Sequence, residues 1–356
     1  MSKLSKLRNK MKEIGVDAVI VLDELNQHYL SEFAFTDGYL LITYNKAYMV
    51  TDFRYYEMAL NTANKSFEIL MPENRGEFFD KALAEEGCRV VGFEGGSVSY
   101  DVYRGYCEKH PHITFQNIGD TIEVIRQIKD ADELAKMQKA QDITDKAFSH
   151  ILKVINRNMT ELDVAVELEY AMRKNGASAF AFDTISVSGD ASALPHGTPR
   201  NVKLRDGFLT MDFGAKFDGY CSDMTRTIVI GKADAEIKKL YNTVFSAQLA
   251  ALDYLKEGAD CGEADKIARD IINAVPEYNG AFGHSLGHSV GLFIHESPRL
   301  YSRGFGRKLN VGEILTVEPG IYLFGKYGCR IEDMVAVTKD GIHNFAHSTK
   351  ELIEIE

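Results

Sequence analysis

Residues 209–227 read LTMDFGAKFDGYCSDMTRT, an apolar stretch interrupted by a glycine-rich polar segment. Asp212 ends the first apolar run, and Asp223 lies where the chain returns. Gly214 and Gly219 between them permit a chain reversal. The pattern predicts a hairpin whose two aspartates face each other, with Cβ atoms about 4.5–5.5 Å apart. Because carboxylates this close repel each other unless a proton or cation intervenes, the stretch predicts a charged site between strands.

Two further stretches have related features. Residues 316–333 read TVEPGIYLFGKYGCRIED, in which Glu318 precedes a Pro-Gly turn signal and Glu332 returns on a predicted strand, Cys329–Val337. Residues 283–296, GHSLGHSVGLFIHE, add three histidines in a glycine-rich apolar stretch: His284, His288 and His295. Four carboxylates and an imidazole suit two divalent ions of intermediate hardness, namely manganese, cobalt, iron or zinc. Two such ions about 3.5–4 Å apart would hold a bridging hydroxide and stabilise an oxyanion.

The composition excludes several classes of protein. The 356 residues correspond to about two domains. The chain has 41 basic and 52 acidic residues, a net charge of −11, which disfavours general binding to nucleic acid or anionic lipid. The N-terminus does not resemble a signal peptide, and no stretch approaches the roughly 20 apolar residues of a membrane span. Five cysteines without a CxxC spacing predict reduced thiols, so we expect a cytoplasmic protein.

The pattern of helix and strand signals changes near residues 125–130, and we predict two domains, 1–127 and 128–356. The first alternates helical and strand signals and is predicted to be a compact α/β domain. Its predicted helices are Leu4–Ile14, Phe53–Asn64 and Glu77–Glu86, and its predicted strands are Ala18–Leu22, Tyr39–Thr43, Ala47–Thr51, Phe67–Leu70, Arg89–Glu94 and Ile113–Ile118.

The second domain is predicted to begin with a capping box formed by Asp130 and Glu133 at the start of a long amphipathic helix. Another helix is predicted to begin at Thr160 and end near Asn175 and Gly176. Two strand-rich regions follow, separated by helices at about 234–257 and 262–275. The order of two helices and strands, then two helices and strands, hints at an internal duplication within an α/β (α+β) fold.

The five acidic and histidine positions, in this order, resemble the dimetal signature of the pita-bread metallopeptidases: Asp212, Asp223, His288, Glu318 and Glu332. The aspartates are eleven positions apart, the histidine and the first glutamate thirty, and the glutamates fourteen, as in the prolidase-like branch. The family includes methionine aminopeptidases, Xaa-Pro aminopeptidases and Xaa-Pro dipeptidases (prolidases). The resemblance implies an N-terminal creatinase/prolidase-like α/β domain followed by a C-terminal pita-bread catalytic domain. The large N-terminal domain favours the proline-directed branch, whose members imply a homodimer.

The resemblance also implies two divalent metal ions per subunit, manganese first, with cobalt, iron or zinc as alternatives. One ion would be chelated by Asp212, both would be bridged by Asp223 and Glu332, and the other would be completed by His288 and Glu318. A hydroxide between the ions would attack the scissile carbonyl, with Glu318 as general base. Four side chains would line or adjoin the substrate cleft, the first two holding the carbonyl: His196, His295, His284 and Tyr322. Thr225 and Arg330 would orient the carboxylates by hydrogen bonds.

The substrate class follows from Arg299, four residues after His295. It resembles a prolidase arginine that could grip the free carboxylate of an Xaa-Pro dipeptide, although a surface arginine beside a proline turn is an equal interpretation. We therefore expect a prolidase acting on small peptides with proline second. The alternatives are an Xaa-Pro aminopeptidase for longer peptides and a metal-free peptide-binding or creatinase-like protein. The last is disfavoured because clustered carboxylates without cations are costly. Ser289 and Cys329 depart from the residues common in relatives.

Overall fold

In the computed structural model, which describes residues 1–356, the chain divides into two units, Met1–Arg126 and Gln127–Glu356. The strands of the first unit are β1 (Ala18–Val21), β2 (Tyr39–Thr43), β3 (Ala47–Val50), β4 (Glu68–Leu70), β5 (Val90–Phe93) and β6 (Thr114–Asn117). They form one mixed sheet in the order β4-β3-β2-β1-β5-β6. The helices are α1 (Lys3–Ile14), α2 (Glu24–Ser31), α3 (Phe53–Thr62), α4 (Arg75–Glu85), α5 (Tyr100–Lys109) and α6 (Thr121–Arg126).

All helices and strands predicted for the first domain are present, with ends that differ by at most two residues. Three helices were not predicted from the sequence, and the reason differs from one to the next. The helix α2 buries polar side chains such as Asn26 and Gln27, α5 buries no residue, and α6 has only 6 residues. Apolar periodicity therefore identifies a helix only where the buried face is itself apolar.

The second unit contains four helices, α7 (Ala131–Val154), α8 (Glu161–Lys174), α9 (Ala235–Tyr254) and α10 (Cys261–Asn273). Both predicted helix starts are present, because Asp130 caps α7 and Thr160 caps α8, each within a capping box. Asn175 caps the C-terminus of α8, as predicted, and Gly176 follows with a φ of 105°, in the left-handed region that glycine tolerates. No helix of the protein is both long and apolar enough to cross a membrane. All five cysteines are free thiols.

The strands of the second unit are β7 (Ala179–Phe180), β8 (Ile185–Ser188), β9 (Gly207–Phe213), β10 (Ala215–Phe217), β11 (Tyr220–Cys221), β12 (Met224–Ile230), β13 (Gly287–Ser289), β14 (Glu296–Leu300), β15 (Ile314–Val317), β16 (Gly320–Leu323), β17 (Tyr327–Arg330), β18 (Asp333–Val337), β19 (Ile342–Asn344) and β20 (Glu354–Ile355). The largest sheet has the order β20-β12-β9-β8. Smaller sheets pair β11-β10-β7, β13-β14, β15-β18-β19 and β16-β17.

Alternating side chains of β9 and β12 enter two separate cores. Met211 and Ile228 pack with residues of α7 and α8, whereas Phe208 and Val229 pack with residues of α9 and α10. Since successive side chains of a strand point to opposite faces, Asp212 shares the second face with Phe208. This alternation directs Asp212 away from the α7–α8 core and towards the strands that follow β14.

Candidate metal centre

The two aspartates come from the antiparallel pair β9–β12 and the reversal that joins its strands. Asp212 lies on β9 opposite Thr225, and Asp223 is the residue just before β12. The expectation that the aspartates lie directly opposite each other is therefore wrong. The reversal contains the short pair β10–β11, which continues the ladder and leaves Gly214 beside the returning chain. A Cβ at Gly214 would lie 2.0 Å from the Ser222 carbonyl oxygen, so this close approach requires glycine.

The two glutamates lie at a matching interruption in a second hairpin. On one side of the interruption β15 pairs with β18, and on the other side β16 pairs with β17. The registers of both pairs, extended across the gap, place Glu318 opposite Glu332. Pro319 has no N–H to donate at this point. The predicted continuous strand Cys329–Val337 is thus wrong, because it is divided between β17 and β18 by Ile331 and Glu332.

The histidine reaches the same place from β13. A Cβ at Gly287 would lie 1.9 Å from the Thr316 carbonyl oxygen, so only glycine lets β13 approach β15 this closely. The His288 backbone N–H donates to Thr316 Oγ1 at 3.0 Å. The same hydroxyl donates to Glu318 Oε1 at 3.1 Å. One threonine therefore couples the position of the imidazole to that of the glutamate.

These elements bring together the side chains that the sequence singled out as ligands. His288 Nε2 lies 3.5 Å from Asp223 Oδ2 and 3.5 Å from Glu318 Oε1. Ligand atoms of Asp223, His288 and Glu332 all lie within 4.8 Å of one another. Asp212 Oδ1 is buried and has no hydrogen-bond partner. A buried carboxylate oxygen without a donor is costly, and its position suits a cation.

The pKa values of the clustered side chains also fit a cation site. Burial and the neighbouring Glu332 raise the pKa of Asp223 well above its ordinary value, and burial beside Glu318 does the same for the pKa of Glu332. Burial raises the pKa of Glu318 to about 8. Burial and the neighbouring His295 lower the pKa of His288 to about 3, so this imidazole is neutral. Neutral imidazole and crowded carboxylates form a donor set that fits divalent cations.

The tautomer of His288 also suits metal binding. His288 Nδ1 lies 3.1 Å from the Ser289 carbonyl oxygen, which can only accept a hydrogen bond. The proton is therefore assigned to Nδ1, and the lone pair of Nε2 points towards Asp223 and Glu318. A histidine that binds a metal is commonly oriented through its other ring nitrogen in this way.

Thr225 and Arg330 orient the carboxylates through hydrogen bonds. Thr225 Oγ1 donates to Glu332 Oε2 at 2.6 Å, and Arg330 Nε donates to Thr225 Oγ1 at 3.0 Å. Arg330 Nη2 donates to Asp212 Oδ2 at 2.7 Å. One buried guanidinium thus orients carboxylates on both hairpins, directly for Asp212 and through Thr225 for Glu332.

Tyr322 and His284 extend this network. Arg330 Nη1 donates to the Tyr322 hydroxyl at 2.9 Å, and that hydroxyl lies 2.8 Å from His284 Nε2. Burial lowers the pKa of His284 to about 4, so its Nε2 can accept the Tyr322 proton while Nδ1 faces the Ser285 carbonyl oxygen at 2.8 Å. Tyr322 lies behind the cavity and supports the residues that line it, whereas His284 is itself on the wall.

A cavity of about 520 Å³ opens onto the cluster, a size typical of small-ligand sites. All the ligand candidates line it, together with His196, His284, His295 and Arg299. Its apolar wall was not predicted from the sequence and consists of Phe182, Ile185, Pro195 and Ile294. Phe182, Ile185 and Pro195 lie on one stretch of the chain and Ile294 on another, and isolated apolar residues of this kind form no periodic pattern that indicates a cavity wall.

Sequence reasoning also missed a buried ion pair beside the histidine strand. Lys129 Nζ lies 3.1 Å from Glu296 Oε2 and 3.4 Å from Ser289 Oγ, and the lysine side chain is only 1% exposed. Glu296 is paired with Ser289 in the β13–β14 ladder, and its Oε1 accepts the Phe293 N–H at 3.2 Å. These contacts close the loop that carries His295. Ser289 is therefore part of this contact.

Cys329, three residues before Glu332, is fully buried next to Arg330. Burial raises the pKa of its thiol to about 12, and Cys329 is not among the residues that line the cavity described above.

Comparisons with known proteins place both units in described domain families. Residues 135–339 match the metallopeptidase family M24, and residues 3–128 match the creatinase/prolidase N-terminal domain. The Xaa-Pro dipeptidase of Pyrococcus horikoshii is 38% identical over 353 residues, which are 99% of this chain and 98% of that protein.

Solved structures with the same fold cover the whole chain. An Xaa-Pro dipeptidase from Bacillus anthracis has a TM-score of 0.94 and 39% identity, with 99% of each chain covered. An X-Pro aminopeptidase from Thermotoga maritima has a TM-score of 0.91 and 33% identity, with 100% of each chain covered. The predicted order, a creatinase/prolidase-like domain followed by a metallopeptidase domain, is thereby confirmed.

Proposed function

The chain belongs to the metallopeptidase family M24, and from that membership we propose that it hydrolyses the peptide bond between a first residue and a following proline. Relatives that match over nearly their whole length are named for this specificity. The preferred substrate is an Xaa-Pro dipeptide, which makes the protein a prolidase.

Two divalent cations per subunit, with manganese first, are part of this proposal. They would be held by the five side chains around the cavity: Asp212 on one ion, Asp223 and Glu332 on both, and His288 and Glu318 on the other. The unpartnered oxygen of Asp212 and the raised pKa values of the carboxylates support the assignment. When bound, the cations would polarise the scissile carbonyl and activate a water molecule.

The protein's own side chains would move the proton and hold the substrate. Glu318 lines the cavity, with its Oε1 fixed by Thr316, and we assign it as the general base that takes a proton from the attacking water. His196 and His295 lie on the exposed part of the wall, where their N–H groups can donate to the carbonyl oxygen as negative charge develops. Burial, followed by the nearby Arg299, lowers the pKa of His295, which favours its neutral form.

The position of Arg299 is the main support for a dipeptide substrate. Arg299 lies on β14 directly opposite His288 and lines the cavity, and its guanidinium makes no hydrogen bond or ion pair within the protein. A free guanidinium one strand away from a metal ligand suits the terminal carboxylate of a two-residue substrate. The apolar wall at Phe182, Ile185 and Ile294 would receive the proline ring.

A second candidate function is that of an Xaa-Pro aminopeptidase, the name carried by the Thermotoga maritima relative. It is favoured by the exposure of Arg299, since a longer peptide could leave the cavity past this side chain. A metal-free creatinase-like or peptide-binding protein is disfavoured by the complete ligand set.

Assembly and location belong to the same proposal. We propose a homodimer on the basis of the family resemblance. We propose a cytoplasmic location because five free thiols suit a reducing compartment.

Hydrolysis of Ala-Pro and Ala-Pro-Ala by metal-free protein supplied with Mn²⁺ tests the proposal. We expect the kcat/KM for Ala-Pro to be at least about tenfold higher than that for Ala-Pro-Ala. Arg299→Met should remove this preference. Arg157→Met, which removes an exposed guanidinium paired with Asp206, is the matched control and should change neither value. If neither peptide is cleaved while Mn²⁺ is bound, the proposed substrate class is wrong.

A further inference from the structure

A second cleft lies beside the metal-centre cavity and shares Arg299 with it. Its volume is about 310 Å³. Its lining consists of Gln127, Ser297, Pro298, Arg299, Tyr301, Arg303, Gly304, Phe305 and Arg307. Three of these residues are arginines and none is acidic, in a chain whose net charge is −11. The cleft is therefore a local positive site on an acidic protein.

The three arginines are not equivalent. Arg307 forms an ion pair with the buried Glu313, so its charge is compensated within the protein. Arg299 and Arg303 are exposed, and their guanidinium groups make neither hydrogen bonds nor ion pairs with the chain. Two uncompensated guanidinium groups thus face the same space. Each offers paired N–H donors that match the two oxygens of a carboxylate.

The loop that carries these residues is anchored to the fold. The Gly306 N–H donates to Asp260 Oδ2 at 2.8 Å, and the Cys261 N–H donates to the Arg307 carbonyl oxygen at 3.0 Å. A Cβ at Gly262 would lie 2.7 Å from the Phe305 backbone nitrogen, which shows how closely the loop packs on α10. The cleft is therefore formed by fixed backbone rather than by side chains alone.

We propose that this cleft binds the residue that follows proline in a peptide of three residues, with the terminal carboxylate on Arg303, which lines this cleft and not the first cavity. The inference rests on the proposed function, because it assumes that proline occupies the cavity next to Arg299. Lengthening an extended peptide by one residue moves its carboxylate by about 3.3–3.6 Å. Because Arg299 lines both cavities, they adjoin, and the longer peptide can extend its carboxylate from the first cavity into the second. Tyr301 and Phe305 provide an apolar wall for the third side chain.

Equilibrium binding of the expected products tests the assignment without requiring turnover. Calorimetry with Mn²⁺-loaded protein would compare Pro-Ala, its C-terminal amide and free proline. We expect Pro-Ala to bind about tenfold more tightly than the amide, because only the acid offers a charge-assisted hydrogen bond to arginine. Arg303→Met should remove this difference and leave the affinity for proline unchanged. Arg157→Met, the same substitution at an exposed site outside both clefts, should behave like the native protein.

Each outcome separates the two proposals. If Arg303→Met and the native protein bind Pro-Ala equally, the cleft assignment is overturned, whatever the peptidase activity. If the native protein prefers Pro-Ala to its amide through Arg303 but fails to cleave Ala-Pro and Ala-Pro-Ala, the cleft stands and the proposed function is wrong. In the cleavage assay, the assignment further predicts that Arg303→Met lowers kcat/KM for Ala-Pro-Ala and not for Ala-Pro.

Discussion

The carboxylates of the metal centre depend on a few individual donors for their orientation. Glu332 accepts a hydrogen bond from Thr225 at 2.6 Å, and one oxygen of Asp212 accepts from Arg330 at 2.7 Å. Glu318 differs from both, because its nearest donor is the Thr316 hydroxyl at 3.1 Å. Because Arg330 does not contact it and its hydroxyl donor is more distant than that of Glu332, Glu318 is, of these three carboxylates, the one best placed to exchange a proton.

Glu318→Gln tests that assignment at the scale of one residue. The amide keeps an oxygen ligand but cannot accept a proton, so kcat should fall by about 10²–10⁴-fold at saturating Mn²⁺. Metal affinity should fall much less, and calorimetric titration with Mn²⁺ measures it separately. Glu351→Gln, on an exposed residue, is the control. A kcat within twofold of the native value would contradict the role of general base.

The elements that carry the site are interrupted hairpins, and this explains what sequence reasoning could reach. Acidic residues that break apolar runs predicted both reversals and placed the proposed ligands around one cavity. The local pattern could not predict that Thr225, rather than Asp223, lies opposite Asp212, because the extra pair β10–β11 sets the register. Nor could it predict the break at Ile331 and Glu332, which depends on how two hairpin segments meet.

Lys129 was missed for a related reason, since it lies 160 residues from Ser289 and a lysine ordinarily indicates a solvated position. Lys129→Met should destabilise the protein by about 3–5 kcal/mol, because it leaves Glu296 buried without its cation. The double variant Lys129→Met/Glu296→Gln should recover part of this loss. Urea unfolding measures both.

Lys136→Met is the matched control for that experiment, because Lys136 pairs with Asp218 at the surface. Its loss should stay below about 1 kcal/mol. Equal losses from Lys129→Met and Lys136→Met would show that the buried pair does not hold the loop.

In the molecule as a whole, the electrostatic repulsion between the carboxylates of the metal centre is confined to one unit. All the ligand candidates lie in Gln127–Glu356, and burial raises the pKa of three of the four carboxylates. Without cations, the folded protein holds protons on these groups that the unfolded chain releases at about pH 4. Stability of the metal-free protein should therefore depend on pH in a way that bound cations abolish.

The sign of this dependence follows from Glu318, whose pKa of about 8 in the folded protein exceeds its unfolded value. The stabilisation is complete below the unfolded pKa and is lost as the pH rises towards 8. Calorimetry of the metal-free protein should show a melting temperature that falls by about 5 °C or more between pH 5 and pH 8. With Mn²⁺ the trend should flatten or reverse. A metal-free protein that becomes more stable over this range would contradict the assigned protonation.

The pairing of β20 with β12 has a consequence for synthesis of the protein on the ribosome. Val229 and Ile230 are joined in parallel register to Glu354 and Ile355, so the largest sheet of the second unit lacks a strand until residues 354–355 have left the exit tunnel. Domains generally fold as units while the chain is being made, and the first unit can do so early. The nascent enzyme should therefore acquire its metal, and with it any ability to cut peptides, only after residues 354–355 have emerged from the ribosome.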